Sequence, residues 1–209
     1  RGTRSSGPPP TPLLPGYGAI AQSRVAPRAP RRRRSLNWHR PPTASCGIIE
    51  RVLLSSSTLQ GHRREVDALA TSASGACIVS ASGKGQMKMW DACSGACVRE
   101  LEGHAGDVYS LAMTPDGDVI VSGATDGCVK LWDAHTGACV RTYIGHTDTV
   151  FSVALSRGGA RLVSGSADNC LKLWDTKTGA CLRTCKGHKE EVSCVGLSAD
   201  GTCIVSGSF

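Results

Sequence analysis

The sequence predicts an all-β fold built from repeated units of four short antiparallel strands. Short motifs recur with a fixed period of 42 residues, and the chain has 25 glycines among 209 residues, which is typical of many turns between short strands. No segment shows helical periodicity over ten residues. The period indicates stacked units, because one small sheet cannot bury both of its faces alone.

The first element is the segment 1–45, which we expect to be a disordered tail. It holds nine arginines, no lysine or acidic residue, and nine of the ten prolines. Its apolar residues follow no sustained period, so it cannot bury enough surface to offset the entropy of ordering. The basic run at 31–34 leaves three interpretations open: a disordered tail, a targeting segment, and sequence outside the mature protein.

The formal net charge of +7 is concentrated in that tail. Residues 46–209 hold 24 − 9 = 15 basic residues against 17 acidic ones, a net of −2. We therefore expect contact with nucleic acid only through the arginine-rich tail. No apolar run approaches the roughly 18–20 residues that cross a bilayer, so the sequence predicts no transmembrane helix and no membrane partner.

The next element is a junction at 46–60, which we expect to include the outer strand of the first unit. Gly-His and Trp-Asp dipeptides then return every 42 residues. They define three full repeats and one partial repeat, at 61–102, 103–144, 145–186 and 187–209.

Each full repeat is predicted to contain four strands. In the second repeat, apolar β-prone runs are separated by turn residues such as Thr-Pro-Asp-Gly, and the runs lie at 108–113, 118–122, 128–132 and 138–143. Strands of about six residues joined by turns of two to four residues form an antiparallel meander.

With these motifs in register, residues 54–209 resemble the WD40-repeat family. The resemblance implies a β-propeller with blades of four antiparallel strands, present here as an incomplete array of about 3.5 repeats. It also implies that the last strand of one repeat is the outer strand of a blade. Because the chain lacks an initial Met and ends within a predicted strand, we expect it to be a fragment of a longer protein.

A polar set of His, Ser, Asp and Trp recurs at fixed offsets in the repeats. Its members are His62, Ser80 and Trp90; His104, Ser122, Asp126 and Trp132; and His146, Ser164, Asp168 and Trp174. Ser, His and Asp together suggest a hydrolase triad, but a catalytic set is needed once, and no Gly-x-Ser-x-Gly motif occurs. The resemblance implies buried structural tetrads, so we predict no catalytic residue and no enzyme activity.

The first repeat departs from this pattern. Lys84 stands where the next two repeats have Asp126 and Asp168. Because lysine cannot accept a hydrogen bond, we expect an incomplete network, the loosest blade, and a solvent-facing or binding role for Lys84.

Eleven cysteines raise the alternatives of zinc ligation and disulfides. Several occupy equivalent repeat positions, which lie roughly a blade apart, and no Cys-x-x-Cys pair exists. We therefore predict free thiols in a reducing compartment, no metal and no cofactor. The expected location is the cytoplasm, with the nucleus as the alternative.

Function must come from surface positions that differ between repeats. The candidate partner-binding residues are Arg63, Arg64, Asp67, Lys84, Asp107, Tyr109, Thr149, Phe151, Glu190, Glu191 and Ser193. Tyr109 and Phe151 are equivalent, and they are expected either to anchor a partner or to pack between blades. The paired arginines and paired glutamates suit a peptide that carries both charges.

Three functions follow as hypotheses. The leading one is a non-catalytic scaffold that docks proteins or peptides on the propeller face. The second is the sensor or substrate-recognition portion of a larger signalling NTPase or ubiquitin ligase, whose catalytic part lies outside this sequence because no phosphate-binding loop motif occurs. The third is nucleic-acid association through the tail, which would depend steeply on salt.

Overall fold

The structure is a computed structural model, and it describes residues 58–209. The predictions for the tail at 1–45 and for most of the junction, 46–57, concern residues outside this range. Residues 58–209 form fourteen β-strands and no helix, which confirms the all-β prediction. Since there is no helix in this range, none is available to cross a membrane.

The strands form three four-stranded antiparallel sheets and one two-stranded sheet, here called blades 1 to 4. Blade 1 contains β1 Val66–Thr71, β2 Cys77–Ser82, β3 Met87–Asp91 and β4 Cys97–Leu101. Blade 2 contains β5 Val108–Met113, β6 Val119–Ala124, β7 Val129–Asp133 and β8 Cys139–Tyr143. Blade 3 contains β9 Val150–Leu155, β10 Arg161–Ser166, β11 Cys170–Asp175 and β12 Cys181–Lys186. The described part of blade 4 contains β13 Val192–Leu197 and β14 Ile204–Ser208.

The outer strand of blade 1 is not where the sequence interpretation put it. β4 supplies this strand, and residues 58–60, the described part of 46–60, form no strand. The reason is a tight hairpin after β3, in which Asp91 accepts the backbone amide of Gly95 at 2.8 Å and that of Ser94 on its carboxylate at 2.6 Å. This turn folds the chain back so that β4 pairs with β3.

The hydrophobic core lies between the blades. Between blades 1 and 2, buried Val79, Met87 and Leu101 pack in one cluster with Ile120 and Trp132. Equivalent clusters fill the spaces between blades 2 and 3 and between blades 3 and 4. Since burying one large aliphatic side chain contributes about 1.5–3 kcal/mol, stacking of blades is the main stabilising term of the array.

Serine side chains also join neighbouring inner strands. Ser110 Oγ on β5 accepts the backbone amide of Val153 on β9 at 3.1 Å. Ser152 Oγ accepts the amide of Val195 on β13 at 3.1 Å. Blades 2 and 3, and blades 3 and 4, are therefore joined by a directional bond as well as by apolar contact.

The blades share two ends. One end, the His-loop face, carries the loops before each inner strand and the turns between the second and third strands. Thr125 in such a turn donates its amide to the Asp107 carbonyl at 2.9 Å, and Ala167 donates to Thr149 at 2.9 Å. The opposite face carries the remaining turns, where Ala134 donates to the Asp118 carbonyl at 2.9 Å.

Candidate functional site

Blade 2 brings its His, Ser, Asp and Trp together in one hydrogen-bonded chain. Trp132 Nε1 donates to Ser122 Oγ at 2.8 Å, and that hydroxyl lies 2.7 Å from His104 Nε2. His104 Nδ1 lies 2.9 Å from Asp126 Oδ2. The carboxylate also accepts the backbone amide of Ala105 at 3.0 Å, so it ties the loop before β5 to the turn between β6 and β7.

Blade 3 repeats this geometry. Trp174 Nε1 donates to Ser164 Oγ at 2.9 Å, Ser164 Oγ lies 2.8 Å from His146 Nε2, and His146 Nδ1 lies 2.8 Å from Asp168 Oδ2. Repetition at the same distances is what a framework requires, and it is not expected of a single catalytic centre.

The protonation states of the chain follow from burial and hydrogen bonding. Burial lowers the pKa of His104 below its ordinary 6.5, more than the neighbouring carboxylate raises it. Burial works to raise the pKa of Asp126, but hydrogen bonds from His104, Ala105 and Cys128 outweigh it and hold the pKa below 3.8. At neutral pH the imidazole is therefore neutral and carries its proton on Nδ1, while the carboxylate is ionised.

This arrangement leaves no reactive hydroxyl among the tetrad serines of blades 2 and 3. Ser122 and Ser164 are fully buried, at 0% exposure. Each receives an indole proton and points its own proton at an imidazole, so its hydrogen-bonding capacity is used inside the blade. A substrate could not reach these oxygens without opening the sheet.

Blade 1 replaces the missing carboxylate with an amide. His62 Nε2 lies 2.6 Å from Ser80 Oγ, Trp90 Nε1 donates to the same oxygen at 2.7 Å, and His62 Nδ1 lies 3.3 Å from Gln86 Oε1. The expectation of an incomplete network is thus corrected, because Gln86 supplies a longer and uncharged acceptor from a position two residues after Lys84.

The turn around Lys84 has a different backbone from its counterparts. Lys84 has φ 63° and Gly85 has φ 69°, whereas in the corresponding turns Gly127 and Asn169 are the single residues with positive φ. Lys84 donates its amide to Asp107 Oδ1 of the next blade at 2.6 Å. Its side chain is exposed.

In blade 4, His188 Nε2 lies 2.8 Å from Ser206 Oγ. This is the same histidine-to-serine contact as in the other three blades, and it extends the framework to the end of the described residues.

Tyr109 and Phe151 meet across the boundary between blades 2 and 3. Their ring centroids are 5.7 Å apart with an interplanar angle of 47°. Both side chains are half-buried and stand at the ends of β5 and β9 that adjoin the His-loop face. The pair is a ring-to-ring packing contact that still exposes aromatic surface.

The remaining candidate positions fall into two groups. Those with exposed side chains are Arg63, Arg64, Asp67, Glu190 and Glu191. Those that are half-buried are Asp107, Thr149 and Ser193. Several of the backbone groups serve the framework: the carbonyls of Asp107, Thr149 and Glu191 each accept an amide from the neighbouring turn or strand end. Although the residue is exposed, partial desolvation of its carboxyl, together with the nearby Asp107 and Glu65 carboxylates, raises the pKa of Asp67.

Sequence reasoning missed three kinds of structural residue. Gln86 carries no signal, since its counterparts are cysteines. The bridging serines Ser110 and Ser152 lie 42 residues apart, so the period could have found them. Buried Tyr143 packs on Trp174 at 5.5 Å between ring centroids and donates to the Thr176 carbonyl at 3.2 Å.

The ten cysteines between residues 58 and 209 have free thiols. No group of three or more metal-ligating side chains converges within the same range. The absence of a metal and of a cofactor remains a prediction.

A family model matches four consecutive segments of the chain. The family model WD40, "WD domain, G-beta repeat", matches residues 54–91, 95–133, 137–175 and 179–209. The second and third matched units begin just before an outer strand and end with the third strand of the following blade. The fourth begins just before β12 and ends just after β14, the second strand of blade 4. No curated protein matches the sequence.

Two solved structures are similar to this chain: the structure of U3-55K and the crystal structure of the RRP9 WD40 repeats. Each has a TM-score of 0.68 and 26% sequence identity, and the alignment covers 72% of this chain and 47% of the other. The chain therefore spans about half the length of the structures it matches.

Proposed function

The chain belongs to the WD40-repeat family, and on that premise we propose that it is a non-catalytic scaffold that docks proteins or peptides on its His-loop face. The observation that carries this proposal is that recurring and variable side chains lie in different places. The polar side chains that recur between repeats are hydrogen-bonded inside the blades, while the candidate side chains that differ from blade to blade lie on one face. A surface of that kind can discriminate partners without chemistry of its own.

The aromatic pair is the proposed anchor of this surface. Tyr109 and Phe151 are held by each other at 5.7 Å, so little side-chain entropy would be lost when a partner covers them. Aromatic side chains that are positioned in advance are enriched among residues that dominate binding energy. Exposed charges flank them on the same face, with arginines in the loop before β1 and glutamates in the loop before β13.

The scaffold hypothesis is tested with a partner identified by affinity capture and then purified. Binding is measured by calorimetry for the wild-type chain and for Tyr109→Leu and Phe151→Leu, which keep apolar bulk but remove the ring faces. We expect each variant to weaken binding by at least about tenfold, as for an interface hot spot. The matched control is His135→Ala on the opposite face, where the side chain is 74% exposed.

Unchanged affinity in both aromatic variants, or an equal loss in His135→Ala, would rule out the His-loop face as the docking surface. The variants are compared only after thermal melting shows that they fold as the wild type does.

The finer assignments stay part of this proposal. The division into 1–45, 46–60 and 61–209 is testable by limited proteolysis, with cleavage expected before residue 58. Cytoplasmic location is testable by imaging of a tagged chain. The alternative, a recognition portion of a larger signalling NTPase or ubiquitin ligase, adds a catalytic domain to the same docking surface, and the complete coding sequence distinguishes the two.

A further inference from the structure

An open cleft of about 640 Å³ lies at the boundary of blades 1 and 2 on the His-loop face. Its walls come from three segments: the loop before β1, the turn between β2 and β3, and the loop between β4 and β5. The side chains of Arg63, Arg64 and Lys84 line it, together with one acid, Glu102. The lining therefore carries three cations against one anion, a net of +2.

The side chains of these three cations are accessible to a ligand. Arg63, Arg64 and Lys84 are exposed, and none forms an ion pair with another residue in the described range 58–209. The Lys84 backbone is fixed, since its amide is held by Asp107 at 2.6 Å. A fixed backbone with an unpaired side chain presents charge without a competing internal partner.

The repeat does not require cations at these positions. At the boundary of blades 2 and 3, the counterparts of Arg63, Arg64 and Lys84 are Ala105, Gly106 and Asp126. At the next boundary the counterparts are Thr147, Asp148 and Asp168. Counting the position of Glu102 as well, whose counterparts are Ile144 and Lys186, each of these boundaries has a net charge of −1. Only the first boundary among the three is cationic, although all three support the same fold.

We infer that this cleft binds an acidic side chain of a partner protein, a carboxylate or a phosphoryl group presented on a peptide segment. This inference rests on the proposed scaffold function and names the chemistry of one contact. Arginine guanidinium groups match both anions because their planar donors can bind two oxygens at once. A cleft of this volume accommodates one or two side chains of a peptide.

The surrounding charge favours a localised anion over a polyanion. Glu102 lies in the lining, Asp107 holds the Lys84 amide, and residues 58–209 contain 14 basic against 16 acidic residues. A nucleic-acid backbone would have to pass these acids on either side of the cleft. The N-terminal residues 1–57 are also unsuited as an occupant, because they carry ten arginines and one glutamate.

The experiment uses fluorescence anisotropy with the full 209-residue chain and labelled short peptides at low salt. One peptide carries two adjacent glutamates, a second carries phosphoserine, a third carries glutamine in place of glutamate, and the last probe is a short single-stranded oligonucleotide. We expect the two acidic peptides to bind and the glutamine peptide not to bind. The tighter of the two acidic peptides identifies the preferred anion.

Two variants and one control locate the site. Arg63→Ser removes one cation. Lys84→Asn removes another, and asparagine tolerates the positive φ of this position, as Asn169 does at φ 63° in blade 3. Each is expected to weaken the acidic peptide about two- to fivefold, as for exposed ion pairs. Lys189→Ser, at the position in blade 4 that corresponds to Arg63, makes the same change of charge on the same face and should leave affinity unchanged.

Three results would overturn the inference: neither acidic peptide binds, Lys189→Ser weakens binding as much as Arg63→Ser, or the oligonucleotide binds more tightly than both peptides. If only the cleft inference is wrong, Tyr109→Leu and Phe151→Leu should still weaken binding of the captured partner. That pattern would separate failure of the cleft from failure of the scaffold.

Discussion

Blade 1 and blade 3 bury an equivalent histidine in the same four-stranded frame, yet the atom that faces its Nδ1 differs. In blade 3 it is the ionised carboxylate of Asp168 at 2.8 Å. In blade 1 it is the neutral amide of Gln86 at 3.3 Å. Because an ionised acceptor forms the shorter and stronger hydrogen bond, blade 3 has the firmer connection between its loop and its turn.

Blade 1 also differs from blades 2 and 3 at other positions of the repeat. Blade 1 has Ala68 where blades 2 and 3 have the bridging serines, and Ala81 where they have Gly123 and Gly165. The buried hydroxyl of Ser82 has no hydrogen-bond partner in the described residues, while its counterpart Ser166 donates to the Asp148 carbonyl at 3.1 Å.

The comparison teaches that the apolar frame and the polar network are separable. Blade 1 has the same buried strands but lacks the tetrad carboxylate. The exposed cation Lys84 stands at the position of that carboxylate. A blade with a weaker network can thus present a surface that its neighbours cannot. The sequence expectation that blade 1 is the loosest remains a prediction, and the following substitutions test it.

The largest expected effect is the loss of a tetrad carboxylate. Asp126→Ala leaves His104 and the backbone amides of Ala105 and Cys128 without their acceptor, so the free energy of unfolding should fall by about 3 kcal/mol. Gln86→Ala in blade 1 should cost about 1 kcal/mol, since one long neutral bond is lost. Urea unfolding followed by tryptophan fluorescence measures both. Equal losses would contradict the difference between the blades.

The second prediction concerns the glycine that blade 1 lacks. A Cβ at Gly123 would lie 2.6 Å from Val150 Cγ1 and 3.0 Å from Val153 Cγ1, so Gly123→Ala should destabilise by about 2 kcal/mol through overpacking. Blade 1 carries Ala81 opposite a neighbour with Leu111 at the position of Val153. The double variant Gly123→Ala/Val153→Leu should therefore recover part of the loss. No recovery would mean that Leu111 does not explain the alanine.

The third prediction adds to blade 1 the bond it lacks. Ala68→Ser places a hydroxyl where Ser110 and Ser152 accept amides from the next blade, and it should stabilise the chain by about 0.5–1.5 kcal/mol. The matched control, Ser152→Ala, should destabilise by a similar amount. Thermal melting of the two variants checks the signs, and destabilisation by Ala68→Ser would show that the boundary of blades 1 and 2 has a different spacing.

The smallest effect is a dependence on pH at His62. Burial lowers the pKa of His62 below 6.5, so the unfolded chain takes up a proton first and stability is lost as pH falls below 6.5. Gln86→Glu supplies a carboxylate as in blades 2 and 3 and should raise the pKa of His62. The variant should gain on the wild type by up to about 1 kcal/mol as pH falls toward 5.5. Parallel curves of stability against pH would contradict this.

Much of the fold could be predicted from the sequence, because the 42-residue period and the turn residues determine where strands start and stop. The predicted run at 108–113 coincides with β5, and the other three runs of that repeat differ from β6, β7 and β8 by one or two residues. For blade 1 the expectations disagreed: an outer strand was expected within 46–60, whereas the resemblance implied that the last strand of a repeat takes this place, as β4 does. The period alone does not say which end of a repeat supplies the outer strand. That choice depends on the hairpin that begins at Asp91.

The site was less predictable for a physical reason. Spacing identifies groups that recur, and the structure brings those side chains to hydrogen-bonding distance. It cannot identify a substitute such as Gln86, which stands two residues after the repeated Asp position and has cysteines as its counterparts in the next two repeats. The cleft depends on three segments far apart in the chain, so its charge emerges only when Arg63, Lys84 and Glu102 are brought to one boundary.

The serine bridges have a consequence for how such arrays gain and lose blades. Ser110 bonds to Val153 and Ser152 bonds to Val195, a sequence separation of 43 in both cases, one more than the period. If residues 145–186 were deleted as a unit, Ser110 would stand 43 positions before Val195 and the same donor and acceptor would meet. If residues 103–144 were deleted instead, Ala68 would face Val153 without a hydroxyl. Duplication or excision of one 42-residue unit among blades 2 and 3 would therefore keep their serine bridges, whereas the boundary after blade 1 has no such bridge to keep.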